Sequence, residues 1–575
     1  MLIGLTRRIL GAHKGSVFAI VALQLVQTTA SLLLPTLNAA IIDNGIVRGN
    51  VPEILRLGSW MAAIAGVQVV AAIGAGYLGA VTAMELGRKL REELFVKVQS
   101  LSSQEIGAFG AASLVTRATN DVAQVQNLVV LVFTMLIAAP AIFIGGIVLA
   151  VHQDIALSGI VVAVIPVLAV IMVLIVRRLI PLYRQGQELI DRIGRVLREQ
   201  IIGASVIRGF VRQAHEIRRF EGANKELTRN NLSSALLVAG MMPLIMLVVN
   251  LSSVGVVWFG GHRIQSGEMR LGALTAFIAY ILQILIAIMM AMYVVMTAPR
   301  AAACAERIQA VLDTEPAITD GPAGAAPAGN TVEFRNVSFA YPGAEVPVLD
   351  GVSFTALPGT VTAVIGATGS GKSTLLNLLP RFLDATAGTI SIGGSEVRGL
   401  SLATLRSLIA FVPQHSYLFS GTLAENLRMA APAATDEELW QVLGNAQAGA
   451  FVRRLPQGLQ APVTEGGTNF SGGQRQRLCI ARALLRRSAV YVFDDSFSAL
   501  DYGTDTRLRQ AMAPLLHSAT VLIVAERVAT IEDAGLILVL EDGRFVAQGT
   551  HQQLMESSPS YQEIAASQLV LEETP

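Results

Sequence analysis

The chain has 575 residues, of which 53% are hydrophobic and only 15% are charged. This balance is too apolar for soluble domains alone, so part of the chain must face lipid. The net charge of +1 gives no reason to expect a nucleic-acid partner, because binding to a phosphate backbone requires a clustered excess of Lys and Arg. The two cysteines, Cys304 and Cys479, are far apart in helical patterns and indicate neither a disulfide framework nor a metal site.

Six charge-poor segments in the first half of the chain reach the length of about 20 residues that a helix needs to cross a bilayer. The predicted spans are residues 17–42, 57–83, 127–151, 155–176, 234–260 and 273–297. The first is too long for a signal-peptide core and has no small-residue cleavage site, so it is expected to stay in the protein. The sequence therefore predicts an α-helical, six-span, multi-pass membrane domain over residues 1–313.

Two long polar stretches, residues 85–126 and 177–231, interrupt the spans and are rich in arginine. The positive-inside rule places both stretches and both chain termini in the cytoplasm. The second stretch, "LIDRIGRVLREQIIGASVIRGFVRQ", repeats apolar residues at helical spacing, which predicts that membrane helices continue as long cytoplasmic extensions. A solvated loop is the alternative, but it would leave the apolar stripe uncovered.

The predicted spans contain few ionisable residues, so no ion or proton pathway is indicated. Seven methionines lie in the last two spans, and such flexible side chains suit an adaptable lining for apolar ligands. These residues are Met241, Met242, Met246, Met289, Met290, Met292 and Met296. Simple packing between helices explains them equally well.

A Pro-, Gly- and Ala-rich segment, residues 314–330, predicts a linker to an α/β domain over residues 331–575. Within that domain, "VTAVIGATGSGKSTLLNLL" reads as a strand, a glycine-rich turn and a helix, with the G-x-x-x-x-G-K-S/T spacing of a P-loop. Such a loop cradles phosphates with backbone N–H groups, while its lysine reaches the outer phosphates and its serine hydroxyl meets Mg²⁺. The predicted nucleotide-binding residues here are Gly366, Gly369, Gly371, Lys372, Ser373 and Thr374.

Two further segments fit nucleotide chemistry. Asp494 ends the apolar strand of "SAVYVFDD", where a carboxylate can orient Mg²⁺ and its water; a residue that merely caps the strand is the alternative. "NFSGGQRQRLCIARALL" contains a second anion-binding turn, the signature turn Ser471, Gly472, Gly473 and Gln474. One nucleotide needs only one anion-binding turn, and the P-loop already supplies it. We therefore expect a second copy of the domain to present its own nucleotide to the signature turn.

The order of these motifs resembles the nucleotide-binding domain of ABC transporters, and the six spans resemble the transmembrane half of an exporter-type half-transporter. Tyr341, Gln414 in "FVPQHSYLF" and Asp501 in "SALD" complete the pattern. The resemblance implies that Tyr341 stacks on adenine and that Gln414 contacts both Mg²⁺ and the transmembrane half. It also implies that the signature turn closes over ATP on the opposite subunit, and that Asp501 lies in a loop that communicates between the two sites.

Two residues depart from the family pattern, and both belong to one active site. Asp495 stands where a catalytic glutamate is usual, which shortens the side chain by about 1.5 Å. Glu526 stands where a histidine usually contacts the γ-phosphate. Each exchange alone is compatible with tolerated drift, and Asp495 could still serve as base in a homodimer. Together they predict a degenerate site that binds ATP, in a heterodimer whose partner half-transporter keeps the glutamate and the histidine.

The predicted function is that of a subunit of an ATP-driven transporter for an amphipathic or hydrophobic small molecule or lipid. The resemblance implies export as the default direction and the cell inner (plasma) membrane as the location. A regulatory membrane protein that binds ATP without moving cargo is the alternative. An ABC protein of translation or DNA repair is incompatible with six spans.

Overall fold

The computed structural model describes residues 4, 11, 14–322, 324 and 327–572, and the side chains up to residue 568. The chain forms two compact units: residues 1–98 with 112–314, and residues 99–111 with 315–575. The predicted domain limits, at residues 313 and 330, stay a prediction. The N-terminal end of the predicted membrane domain, part of the predicted linker and the last three residues lie outside the described residues.

Six helical segments are long and apolar enough to cross a membrane, which confirms the predicted six-span architecture. They are Lys14–Ile46, Val51–Ser100, Ala111–Gln153, Ile155–Ile202, Gln213–Gln265 and Leu271–Leu312. The second, fourth and fifth contain 50, 48 and 53 residues. At a rise of 1.5 Å per residue these three are about 70–80 Å long, more than twice the hydrocarbon thickness of about 30 Å. Helices therefore continue well beyond the membrane, as the apolar periodicity predicts.

Short π-helical turns at Ile41–Ile46, Arg117–Asp121 and Val132–Leu136 interrupt or extend the regular helices. In chain order the α-helices before the linker are α1 (Lys14–Ala40), α2 (Val51–Ser100), α3 (Ser103–Phe109), α4 (Ala111–Thr116), α5 (Val122–Leu131), α6 (Ala138–Gln153), α7 (Ile155–Ile202), α8 (Ala204–Gly209), α9 (Gln213–Gln265) and α10 (Leu271–Leu312).

Polar contacts tie α10 to earlier parts of the first unit. The hydroxyl of Tyr280, which is fully buried, lies 2.5 Å from Thr36 Oγ1 and donates to the Leu32 carbonyl at 3.1 Å. Further along α10, Arg307 binds the buried carboxylate of Asp121 through two hydrogen bonds of 2.6 and 2.8 Å. Since a buried charge without its partner costs about 3–5 kcal/mol, this ion pair holds α10 against the π-helical turn at Arg117–Asp121.

The second unit is built around a six-stranded sheet in the order β12-β11-β3-β10-β9-β6, in which all neighbours are parallel except β11 and β12. A four-stranded antiparallel sheet, β2-β1-β4-β5, and the pair β7-β8 accompany it. The strands are β1 (Val332–Phe339), β2 (Leu349–Ala356), β3 (Val361–Ile365), β4 (Ala387–Ile392), β5 (Ser395–Glu396), β6 (Ile409–Val412), β7 (Gly421–Thr422), β8 (Pro462–Val463), β9 (Val490–Asp494), β10 (Thr520–Val524), β11 (Leu536–Glu541) and β12 (Arg544–Gly549).

Helices join these strands and cover the parallel sheet. They are α11 (Lys372–Leu378), α12 (Leu402–Ser407), α13 (Leu423–Arg428), α14 (Asp436–Asn445), α15 (Gly449–Arg453), α16 (Gly472–Leu485), α17 (Tyr502–Leu516), α18 (Val528–Ile531), α19 (His551–Ser557) and α20 (Pro559–Glu572). The strands β3, β9 and β10 are mostly apolar and almost entirely buried, because both faces of the sheet are covered. Their carboxyl ends meet at one edge, where the P-loop follows β3, Asp494 and Asp495 lie at the end of β9, and Glu526 follows β10.

The described part of the linker lies along the second unit. The Asp320 carboxylate accepts the backbone N–H of Leu402 at 2.6 Å, and the Asn330 amide donates to the Ser518 carbonyl at 2.9 Å. Asp320 and Asn330 thus hydrogen-bond the described part of this Pro-, Gly- and Ala-rich segment to the rest of the second unit.

Candidate nucleotide-binding site

The glycines of the P-loop occupy positions that no other residue fits well. Gly369 and Gly371 have φ values of +86° and +103°, a region that L side chains avoid. A Cβ at Gly366 would lie 2.1 Å from the Leu540 carbonyl oxygen. The loop between β3 and α11 therefore keeps its tight curvature and an open backbone face, as close approach to phosphate groups requires.

Lys372 lies at the centre of the site and is 8% exposed. Its ammonium group donates to the carbonyls of Gly366 and Ala367, both at 2.8 Å. Burial lowers the pKa of Lys372, and three nearby carboxylates oppose this by favouring the charged form. These carboxylates belong to Glu526, Asp495 and Asp494.

Ser373 and Asp494 form a pair suited to a divalent cation. The Ser373 hydroxyl donates to Asp494 Oδ1 at 2.9 Å. Burial raises the pKa of Asp494, while the hydrogen bond from Ser373 acts in the opposite direction. A hydroxyl, a carboxylate and the amide oxygen of the exposed Gln414 are the oxygen donors that Mg²⁺ prefers. The residues present therefore fit Mg²⁺ bound together with nucleotide phosphates.

Two observations fit a nucleotide beside this loop. The Ser370 hydroxyl is buried without a hydrogen-bond partner within the described part of the chain, an arrangement that costs free energy unless a ligand supplies the partner. Tyr341 is 43% exposed, and its ring meets Phe339 edge-on at 4.9 Å, so a face of the ring is left open. The Tyr341 hydroxyl lies 3.4 Å from Thr374 Oγ1, which keeps the ring next to the P-loop.

Asp495, directly after β9, has an unusual backbone conformation. Its φ is +45°, in the left-handed region, and its N–H donates to the Val524 carbonyl at 3.0 Å. The Ser498 hydroxyl donates to the Asp495 backbone carbonyl at 2.9 Å, and the side chains of Ser498 and Gln414 favour the charged form of the carboxylate. Burial raises the pKa of Asp495, and the Glu526 carboxylate adds to the rise. One departure from the family pattern, Glu526, thus acts electrostatically on the other, Asp495.

The signature turn forms the start of α16. Ser471 Oγ accepts the Gln474 N–H at 3.3 Å, and Gln474 Oε1 accepts the Ser471 N–H at 3.0 Å, which is a capping box. Gly472 is exposed, and a Cβ there would meet no atom within 4 Å. The structure gathers the P-loop and the three carboxylates around Lys372, whereas the signature turn presents a separate exposed helix start.

Sequence reasoning missed one residue that contacts the backbone of this site. Gln568, near the end of α20, forms two hydrogen bonds to the residues on either side of Arg527. No motif or periodicity marks this glutamine, because its partners lie about 40 residues earlier in the chain. Arg527 itself donates to the carbonyl of Leu500, next to Asp501, at 3.4 Å.

Along nearly its whole length the chain is similar to known ABC transporters. Residues 17–289 match the family of ABC transporter transmembrane regions, and residues 349–498 match the ABC transporter family that covers the ATP-binding region. An uncharacterised ABC transporter ATP-binding protein of Mycobacterium tuberculosis is 44% identical, covering 99% of this chain and 98% of the relative. An ATP-dependent lipid A-core flippase of Chromobacterium violaceum is 32% identical, covering 96% of each.

A solved structure of a bacterial Atm1-family ABC exporter with ATP bound has the same fold, with a TM-score of 0.81 at 23% identity, covering 96% of this chain and 98% of the other. Fold and site together define a half-transporter, in which one chain joins a six-span membrane domain to an ATP-binding domain. The chain belongs to the ABC transporter family, and its ATP-binding domain makes it an ATPase-coupled membrane transporter.

Proposed function

We propose that this chain is the degenerate-site subunit of a heterodimeric ABC transporter. It binds ATP and Mg²⁺ at its own P-loop, and its signature turn completes the catalytic site of a partner half-transporter with an intact glutamate and histidine. The observation that carries the proposal is the presence of Asp495 and Glu526 together in one site, beside an intact P-loop and signature turn.

Asp495 is poorly suited to act as a general base. A base must come within about 2.6–3.2 Å of the water that it activates, and the aspartate is one methylene shorter than the usual glutamate. Its carboxylate also has Ser498 and Gln414 as neighbours in its own chain. Burial and the nearby Glu526 raise the pKa of Asp495, which by itself does not weaken a base, so the lost reach of the side chain carries the argument.

Glu526 replaces a side chain that can donate a hydrogen bond with one that, when ionised, only accepts. Its carboxylate is close enough to favour the charged form of Lys372, the residue expected to reach the outer phosphates. At about 4 Å and an effective dielectric constant near 20, repulsion between two unit negative charges is about 4 kcal/mol. A site with this residue is therefore suited to holding ATP weakly rather than to hydrolysing it.

Two exposed surfaces support assembly with a second subunit. The signature turn is a helix start without a nucleotide of its own. In addition, the connection between α7 and α9 carries an apolar patch with Ile201, Ile202, Phe210 and Val211 each 75–79% exposed. Apolar side chains grouped in this way, beyond the part of the helices that crosses the membrane, are typical of a protein interface.

The proposed cargo is an amphipathic or hydrophobic small molecule or lipid, exported across the inner membrane, with both termini in the cytoplasm. Low charge in the spans and the similarity to lipid A-core flippases support this cargo class. Met241, Met289 and Met292 pack partly buried against neighbouring helices, so these three have at least a packing role. Met242 and Met246 are more than 40% exposed and are the better candidates for an adaptable lining.

The test is ATP hydrolysis in lipid nanodiscs by this chain alone and by the chain co-purified with a candidate partner half-transporter. We expect the pair to hydrolyse ATP at least about 100-fold faster than the chain alone, since a positioned base contributes about 10²–10⁴-fold. The control is the pair in which the partner's catalytic glutamate is changed to glutamine, which should lose hydrolysis and cargo movement together.

Efficient hydrolysis by this chain alone would contradict the proposal and indicate a homodimer with Asp495 as base. The regulatory alternative would be indicated by a different result. In that case the glutamine change in the partner stops ATP hydrolysis, but the pair moves no cargo with either the native or the changed partner.

A further inference from the structure

The short connection between β10 and α18, Ala525–Arg527, carries Glu526 and is here called the switch loop. The side chain of Gln568 spans it with two hydrogen bonds. Its Nε2 donates to the Glu526 carbonyl at 2.7 Å, and its Oε1 accepts the Val528 N–H at 2.8 Å. One amide side chain thus uses both its donor and its acceptor on the backbone on either side of a single residue, Arg527.

The helix that bears Gln568 is itself fixed to the ATP-binding domain. Tyr561, in the first turn of α20, is fully buried, and its hydroxyl lies 2.8 Å from His551 Nδ1. Burial raises the pKa of Tyr561 to about 12, so the hydroxyl stays protonated at neutral pH. Gln562 donates to the Met555 carbonyl at 2.7 Å, which ties α20 to α19. Gln568 therefore extends from an anchored helix.

The switch loop connects this helix to the nucleotide site in two directions. The Glu526 carboxylate acts on the charge states of Lys372 and Asp495. The Arg527 guanidinium donates to the Leu500 carbonyl at 3.4 Å, next to Asp501 in the loop after β9. A change in the backbone at residues 526–528 would therefore reach both the centre of the site and this loop.

We propose that Gln568 is a positioning residue of the ATP site, which holds the switch loop so that the side chain at position 526 faces the outer phosphate of ATP. The C-terminal helix α20 thereby sets how strongly the site distinguishes ATP from ADP. The inference rests on the proposed function in one respect, that Glu526 faces the outer phosphate of bound nucleotide.

The first test measures the affinities of the full chain in nanodiscs for Mg·ATP and Mg·ADP. Gln568→Ala should raise the affinity for ATP relative to ADP by about two- to tenfold, the range that one hydrogen bond represents, because Glu526 is then free to move away from the outer phosphate. The matched control is Ser567→Ala, which removes a side chain of the same helix whose hydroxyl donates to the Ile564 carbonyl within α20, and the ratio of ATP to ADP affinity should stay at the wild-type value.

If Gln568 acts by positioning Glu526, the change in the ratio of ATP to ADP affinity must depend on the charge at position 526. In a Glu526→Gln background, Gln568→Ala should leave the ratio of ATP to ADP affinity unchanged. Equal changes in ATP and ADP affinity, or the same shift in both backgrounds, would overturn the proposal.

The second test is hydrogen exchange of the Val528 amide in the full chain. It should exchange about two- to tenfold faster in Gln568→Ala than in Ser567→Ala, while the amides of residues 562–566 keep their protection. Gln568→Glu retains an acceptor for the Val528 N–H and should restore its protection. An unchanged Val528 exchange rate in Gln568→Ala would contradict the clamp, by which we mean the two hydrogen bonds that join Gln568 to Glu526 and Val528.

The outcomes of these tests are separable from those for the heterodimer. Hydrolysis by this chain alone refutes the degenerate-site heterodimer and leaves the hydrogen-bond clamp as it is. An unchanged nucleotide ratio together with slow hydrolysis by the chain alone refutes the clamp only.

Discussion

The double change Asp495→Glu and Glu526→His is expected to raise ATP hydrolysis by this chain alone by at least about 100-fold. The longer carboxylate regains its reach to the attacking water, and a base in reach is worth about 10²–10⁴-fold. The histidine removes a negative charge from the surroundings of Lys372 and Asp495 and supplies a hydrogen-bond donor in its place. Because this chain has an intact signature turn, two copies can complete two restored sites.

The measurement is the steady-state release of phosphate by the purified chain in nanodiscs. Each single change should recover less than the double change, since residues that act as one unit are not additive. Asp533→Glu is a matched control, because it adds a methylene to an aspartate that is 95% exposed and should leave hydrolysis unchanged. No gain in the double variant, with ATP binding intact, would mean that these two residues do not limit catalysis.

The second large effect is expected from a charge in the signature turn. Gly472→Asp should reduce ATP hydrolysis by the proposed pair by about 10³-fold, because a carboxylate about 4 Å from the partner's ATP costs about 4 kcal/mol at an effective dielectric constant near 20. The substitution should not disturb the fold, since a Cβ at this position meets no atom within 4 Å. An acidic residue in the first turn of a helix is also favourable.

The informative comparison is with Gly472→Ala, which adds the same Cβ without the charge and should keep most of the activity. ATP binding to this chain's own P-loop should be the same in both variants, because the affected nucleotide is the partner's. If Gly472→Asp leaves hydrolysis by the pair intact, the signature turn of this chain does not serve the partner's catalytic site.

The six spans and the P-loop were predictable because their causes are local. The bilayer sets the length and polarity of each span, and a P-loop needs glycines and a lysine at fixed spacing within one short segment. The long helical extensions followed from the same kind of evidence, the repeat of apolar residues at helical spacing. The identities of Asp495 and Glu526 were equally plain in the sequence, and the family resemblance directed attention to them.

Only the tertiary structure decided how those residues are held. It placed Asp495 at a positive φ beside Ser498 and Gln414, and it brought Glu526 near Lys372 through the alignment of adjacent parallel strands. The tertiary structure also decided three hydrogen bonds: from the Leu402 N–H to Asp320, from Arg307 to the buried Asp121, and from the Val528 N–H next to the switch loop to Gln568. Each of these contacts joins residues 40 to 186 positions apart. The partners of such a hydrogen bond come together only after the sheet and helices have formed. For this reason the bond leaves no periodicity or motif in the sequence.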